Sequence, residues 1–311
     1  MGPSRRDRRE ARAGATRIAG IARIDVTCFT DPGCPWAYSA SPALAVLRWR
    51  YGDQLRWRLV MIGLAEDPQQ YVRQGYTAAR SAAGYAHFRE RFGMPFATQP
   101  RSRLLATGRA CRAVIAARLK APGRELAVLR ALQFAWFTTS ALLDEDDGLM
   151  EALRGVPGLD ARMLVAAIDS DEVLAAYEQD KAQTRRAEGG PTHFQGKARQ
   201  TDGPVRYSAP SLIFTTGEQT LEAGGFQPVE AYDLAIANLD TSLKRRLPPE
   251  SPLDALTDFR DGLTTQEVAA IMAPNNTPAD RFAAESALIA LAASGEVRRL
   301  PLGNDALWLA A

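Results

Sequence analysis

Cysteine and histidine are scarce in this 311-residue chain, which has three of the first and two of the second. Cys28, Cys34 and Cys111 are too few for a disulfide scaffold. His87 and His193 leave little material for a histidine-rich metal site, and no metal is expected. Long apolar runs are also missing, since none approaches the roughly 20 residues that span a bilayer. The net charge is only +2 and 46% of the residues are hydrophobic. That balance excludes a mostly disordered chain and predicts one large folded domain or two.

What charge there is sits unevenly. Seven arginines stand against Asp7 and Glu10 in residues 1–23, a surplus of five that leaves the remaining chain at −3. Residues 1–22 read as a flexible basic tail, solvated or beginning at a start codon placed too early. Only a mixed run, Ala13 to Ala22, follows most of the arginines, so a secretory signal is not expected. The expected address is the reducing cytoplasm.

Ile24-Asp25-Val26-Thr27-Cys28-Phe29-Thr30 alternates as a strand and ends in the turn residues Asp31-Pro32-Gly33. A helix is expected from Pro35 to about Arg50, bent by Pro42, and then a second strand over Gln54–Ile62. Two strands joined by a helix read as a parallel βαβ unit. From Ala65 to about Glu188 the pattern is helical, with helices expected over 67–74, 77–92, 104–121, 124–142, 147–154, 160–168 and 170–187. The polar stretch 189–207 is expected to be a functional or mobile loop. Strand character returns at Ser211–Phe214, a turn at Thr215–Glu218 leads to Gln219–Ala223, and a helix follows over 228–239.

Pro248-Pro249 and Pro252 mark a linker. Beyond it lie a helix over 253–260, another opened by the capping box Thr264–Glu267, a third over 278–293, and two strands around Gly303-Asn304-Asp305. Three helices and a hairpin form a winged-helix pattern over 250–311. Arg260, Arg281, Arg298 and Arg299 face nine acidic residues there, poor equipment for a phosphate backbone. Nucleic acid is not the expected partner; a docking or dimerisation role is, which leaves a homodimer open.

Cys34-Pro35-Trp36-Ala37 stands where the first strand gives way to a helix. There the sequence resembles the DsbA family of thioredoxin-fold proteins, whose signature at this place is Cys-Pro-x-Cys. Asp31-Pro32-Gly33-Cys34-Pro35-Trp36 looks most like the cytosolic FrnE-like branch. Ser208-Ala209-Pro210-Ser211, directly before a strand, occupies the place of the family's cis-proline loop. The resemblance covers about residues 23–240. It implies an α/β thioredoxin-like domain from 23–64 and 208–245, interrupted by an inserted helical domain over 65–190 and a long loop over 191–207. The small winged-helix-like domain follows.

The resemblance also implies a thiol–disulfide oxidoreductase whose nucleophile is Cys34. Pro35, Trp36, Ala37, Ala209 and Pro210 then contact the substrate, a protein or small-molecule thiol or disulfide. A thiolate at a helix start is favoured by unpaired N–H groups and the helix dipole, about 0.3–1 kcal/mol and up to about 2. That lowers a thiol from about 8.5 to about 7.5 or somewhat below. Pro35 suits the first turn because its missing N–H has no partner there in any case.

Ala37 departs from the family, which has its second cysteine at this position. The dithiol release route is closed, so turnover must be monothiol and resolved by an outside thiol. No tightly bound cofactor is expected. That thiol is mycothiol or glutathione, with mycothiol favoured by an Ala- and Arg-rich composition typical of a GC-rich bacterium. A thiol-dependent transferase or isomerase of the kappa-class type, and a redox-silent binding protein, are the alternatives. Cys28 and Cys111 lie on apolar faces and read as core. Trp36, Tyr38, Phe134, Trp136 and Phe137 are candidates for an apolar groove, with Phe134 and Phe137 at ordinary packing spacing. His193 is a loop residue that reaches the site only if the loop folds over it.

Overall fold

The alternation of Ile24–Thr30 becomes strand β1, with Ile24, Val26 and Cys28 on one face and Phe29 on the other. The computed structural model describes residues 24–201 and 203–311; the tail expected over 1–22 lies outside the described residues. After β1 come α1 (Pro35–Ser39), α2 (Ser41–Tyr51) and β2 (Leu55–Met61). The single helix expected over 35–50 is therefore two. Pro42 has no N–H for the carbonyl of Tyr38 and its ring crowds that turn, so the axis breaks at Ala40.

The inserted helices are α3 (Gln69–Arg73), α4 (Ala78–Phe92), α5 (Gly108–Lys120), α6 (Glu125–Thr138), α7 (Asp146–Leu153), α8 (Ala161–Ala167) and α9 (Asp171–Thr184). Most are shorter than their sequence patterns, α5 and α6 by the most. α5 starts only at Gly108 because the Thr107 N–H donates to the Ala65 carbonyl at 2.8 Å instead of opening another turn. α6 stops at Thr138, where the hydroxyls of Thr138 and Thr139 donate back to the carbonyls of Phe134 and Ala135. The stretch 191–207, expected as a loop, holds a single turn of helix, α10 (Pro191–Phe194), and a bridge between Arg199 and Arg206.

β3 (Ser211–Thr216), β4 (Gln219–Ala223) and α11 (Val229–Leu239) complete this part of the chain. The sheet order is β2-β1-β3-β4. β1 runs parallel to β2 in the register Ile24 with Leu55 and antiparallel to β3 in the register Cys28 with Leu212. The inserted layer is tied to β2 by Asp180 of α9. Its carboxylate accepts from the Met61 N–H at 2.8 Å and from Arg118 of α5 at 3.0 Å, so a strand-edge donor and a cation share one buried acceptor.

The C-terminal residues form α12 (Pro252–Asp258), β5 (Leu263–Thr264), α13 (Thr265–Met272), α14 (Arg281–Ala293), β6 (Val297–Leu302) and β7 (Asp305–Ala310), with the strands in the order β5-β7-β6. Both halves of the Thr264–Glu267 capping box are made. The apolar face of this module packs on its own chain: Ala45, Val46 and Trp49 of α2 share a core with Val268, Leu288 and Trp308. Buried Glu267 also receives Arg130 of α6, and Asn304 accepts from the Phe96 N–H at 3.0 Å. The apolar face of the module is thus covered within the chain by α2.

Candidate active site

Cys34 occupies the N-cap of α1 with extended backbone angles, and Pro35 fills the first helical position. The turn before it is built on Asp31. The Asp31 carboxylate accepts from the Gly33 N–H at 2.8 Å and its carbonyl from the Cys34 N–H at 3.2 Å. The same buried carboxylate accepts from the Leu64 N–H at 2.8 Å, the Thr107 hydroxyl at 3.0 Å and the Cys111 thiol at 3.4 Å. It thereby joins the ends of β1 and β2 to the start of α5. Burial raises its pKa above the usual carboxylate range. Asp31 reads from sequence only as a turn residue, because its partners at 64, 107 and 111 are remote along the chain.

Gly33 lies in contact with that support. A Cβ added there would stand 2.6 Å from Thr107 Cγ2 and 2.8 Å from the ring of Trp136, so only glycine lets the turn pack this closely.

Opposite Cys34 stands Ala209. The Ala209–Pro210 peptide bond is cis, and the Cys34 thiol donates to the Ala209 carbonyl at 3.4 Å. The loop carrying that carbonyl is pinned on both sides. The Tyr207 N–H donates to the Thr184 carbonyl at 2.9 Å, the Ser208 hydroxyl to the Lys197 carbonyl at 2.6 Å, and the Ser211 hydroxyl to the Ser208 carbonyl at 2.7 Å.

The expected lowering of the Cys34 pKa does not occur. Burial pushes the thiol up to about 12, and the charge of Asp31 adds to that push. The N–H groups of Ala37 and Trp36 and the charge of Arg206 pull the other way. The helix start is thus present as expected, but desolvation outweighs it. Cys28 and Cys111 are buried in the core, and burial raises both thiols, that of Cys28 to about 12.

A cavity of about 800 Å³ opens in front of the sulfur. Pro35, Trp36 and Ala209 line it. Ala37 and Pro210 do not: Ala37 is buried against the small internal void beside Cys28 and offers the sulfur its N–H, and Pro210 is buried behind Ala209. Of the five aromatic candidates, Trp36 and Trp136 reach the cavity. Tyr38 instead stacks on Phe137 at 4.8 Å and donates to the Pro95 carbonyl, and Phe134 packs edge-on to it. Aromatic residues the sequence did not single out join them in the wall: Tyr71 of α3, Tyr76, Tyr85 and Phe88 of α4, and Phe226 after β4. Phe88 and Phe226 meet Trp36 edge to face at 5.0 and 5.8 Å. His193 does not reach the cavity and accepts from the Gly189 N–H at 3.1 Å; His87 is exposed. Among the described residues, no group of three or more His, Cys, Asp or Glu converges as a metal site.

A cis-proline loop leading into the inner strand β3 and facing a cysteine at a helix start, on a β2-β1-β3-β4 sheet, defines a thioredoxin-like protein with an elaborated helical layer. The model of the DSBA-like thioredoxin domain matches residues 25–209, and the chain belongs to that family of thiol–disulfide oxidoreductases. Among solved structures it is similar to a candidate protein disulfide isomerase from Nitrosomonas europaea, with 16% identity and a TM-score of 0.53. That likeness covers 70% of this chain and 97% of the other. It is also similar to the cytosolic disulfide reductase DsbM from Pseudomonas aeruginosa, with 18% identity, a TM-score of 0.50, and coverage of 70% and 100%. At these identities the likeness is one of fold. No curated protein matches the chain by sequence. No helix among the described residues is long and apolar enough to cross a membrane.

Proposed function

We propose that the chain is a monothiol thiol–disulfide oxidoreductase of a reducing compartment, the cytoplasm, with Cys34 as its reacting group. The carrying observation is the Cys34 thiol 3.4 Å from the Ala209 carbonyl on the cavity wall, with alanine at the resolving position and neither Cys28 nor Cys111 lining that cavity. Cys34 gives up its proton and attacks a disulfide R–S–S–R. The S–S bond of the partner breaks, the leaving sulfur takes the proton and departs as R–SH, and Cys34–S–S–R remains. A low-molecular-weight thiol, mycothiol or glutathione, then attacks the bound R sulfur and returns Cys34 as a thiol. Pro35, Trp36 and the Ala209 backbone hold the partner during both steps.

A raised pKa makes Cys34 both a reluctant nucleophile and a poor leaving group, so the mixed disulfide is slow to form and slow to break. The same observation favours a second reading, a thiol-dependent transferase or isomerase of the kappa-class type, in which the site binds a thiol cofactor without a redox cycle. Intact-mass analysis after incubation with oxidised glutathione separates them. The exchange reading expects one adduct, lost in Cys34→Ser and retained in Cys28→Ser and Cys111→Ser. Absence of any adduct at Cys34, with thiol-dependent product formation, supports the second reading and overturns the first.

A further inference from the structure

The wall in front of Cys34 is one-sided in charge. Seven arginine and lysine side chains line the cavity, and none of its described lining residues is acidic. Arg103 is already matched by Asp144 and Glu145. The hydrogen bonds of Arg80, Arg101 and Arg199 go to backbone carbonyls, those of Gly75, of Trp136, Thr139 and Ala141, and of Ala198, and of the three Arg101 also feels the charge of Asp144. Arg91 lies over the rings of Trp36 and Phe92, with its guanidinium 5.9 and 5.1 Å from their centroids. Lys197 packs along the backbone at Gly225, next to the aromatic wall.

These cations come from three separate parts of the chain, the start and end of α4, the segment after it, and the segment after α10. Surface arginines usually find carboxylates nearby in a chain with nearly equal numbers of each sign, here 38 basic and 36 acidic residues. A cavity whose described lining residues carry one sign of charge, set beside aromatic faces, concentrates anions at the thiol. Its volume of about 800 Å³ falls within the range of about 300–1,000 Å³ typical of small-molecule sites.

We infer that the partner of Cys34 is a low-molecular-weight thiol or disulfide carrying two or more negative charges on a flat or apolar body, rather than a protein segment. Arg91, Lys197 and Arg199 would take the anionic groups, and Trp36, Phe88 and Phe226 the apolar part. The inference rests on the exchange reading above for the bond made to sulfur, though not for the binding itself. It also disfavours the uncharged sugar thiol mycothiol as the molecule this cavity selects.

The test compares two aromatic disulfides on the full chain. Dithiobis(nitrobenzoate) carries two carboxylates, and 4,4′-dithiodipyridine is uncharged. The ratio of their rates at Cys34 is expected to exceed the ratio for 2-mercaptoethanol by about tenfold or more at low salt, and to fall on adding salt. Arg91→Gln, Lys197→Gln and Arg199→Gln should each slow the anionic reagent about two- to fivefold more than they slow the neutral one. A ratio equal to that of the free thiol overturns the inference. Because a ratio cancels the thiolate fraction, the raised pKa does not enter it.

A second measurement removes the chemistry. Cys34→Ser is titrated calorimetrically with oxidised glutathione, coenzyme A disulfide and the dication cystamine. Binding of either anion, weakened in the triple Gln variant, supports the site, and the better of the two tells carboxylates from phosphates. Binding of neither, or of cystamine equally well, overturns it. A wild-type Cys34 inert to both aromatic reagents, with anion binding intact, would remove the exchange reading and leave the anion site standing.

Discussion

The sulfur of Cys34 and the carbonyl oxygen of Ala209 are 3.4 Å apart, although 175 residues separate them in the chain. The contact joins the two halves of the thioredoxin-like domain across the inserted helices, and it sets the geometry any bound partner must share. In the proposed exchange, a donor group of the bound partner replaces the Cys34 S–H at that carbonyl.

Replacing the buried alanine of the motif should change the kinetics. Ala37→Cys places a second sulfur three residues beyond Cys34 at a helix start, with two residues between them, a separation that meets the short Cα distance of a disulfide. Mixed disulfides on Cys34 should then be released at least about tenfold faster without added thiol, because the new thiol expels the partner internally. Quenched-flow mass spectrometry follows the adduct directly. An adduct that persists in Ala37→Cys as long as in the wild type would count against the monothiol account.

The thiol's pH profile carries a definite sign. With Cys34 raised to about 12 by burial, its alkylation by iodoacetamide should climb nearly tenfold per pH unit from neutrality to about pH 10. A plateau near pH 8 would show that the thiol is not desolvated as described. The folded state holds this proton more tightly than the unfolded chain, whose thiol titrates near 9.0. The stability linked to Cys34 is therefore complete below about pH 9 and is lost as the pH rises toward 12. Cys28 acts in the same direction.

Gly33→Ala tests the support under the reactive turn. The added Cβ meets Thr107 and Trp136 well inside contact distance, and both belong to packed, buried surroundings. A destabilisation of about 1–3 kcal/mol is expected, together with a changed rate of Cys34 labelling. Denaturant unfolding and labelling on the same sample give both. A variant as stable as the wild type would mean that Thr107 and Trp136 move aside freely.

Glu267 links the C-terminal module to the inserted helices through Arg130. Arg130 holds the Glu267 carboxylate below its usual range even though burial opposes ionisation. Glu267→Gln leaves a buried guanidinium without its carboxylate, and a loss of about 3–5 kcal/mol is expected. In the wild type the depressed pKa makes this contribution present above the unfolded carboxylate range, and lost as the pH falls through the folded value. Thermal unfolding of the two proteins between pH 7 and pH 3 should converge toward the acid end. Parallel curves would assign the effect to packing instead of charge.

The module's place on α2 also changes what its removal does. Without residues 250–311, Ala45, Val46 and Trp49 lose the side chains that cover them. The carbonyl of Leu247 that accepts from Trp49 Nε1 is left at a loose end. Lower solubility and a shifted tryptophan emission are the expected results of truncation. A truncated chain with wild-type emission and stability would show that α2 carries its own cover.

Much of this protein is legible along the chain because the signals are local. The alternation of Ile24–Thr30, the Cys34-Pro35 helix start, the Thr264–Glu267 capping box and the strand at Ser211 all depend on residues within a few positions of one another. Period, capping and φ restriction act at that range, so the thioredoxin-like order and the place of Cys34 at a helix start follow from sequence. That position 37 holds alanine is equally plain.

The tertiary structure alone decided the character of the site. The state of the Cys34 thiol depends on how much water its neighbours exclude, and those neighbours come from α1, Ala209 and the segment around Arg206. The helix start predicted a lowered pKa; burial, which no short window of sequence encodes, reversed it. Asp31 became the support of the reactive turn only when residues 64, 107 and 111 were brought to it. The basic cavity is likewise assembled from Arg91, Lys197 and Arg199, each unremarkable in its own stretch. Desolvation and electrostatic potential are sums over surroundings in space, and chain folding, not chain order, determines which charges and which apolar walls enter those sums.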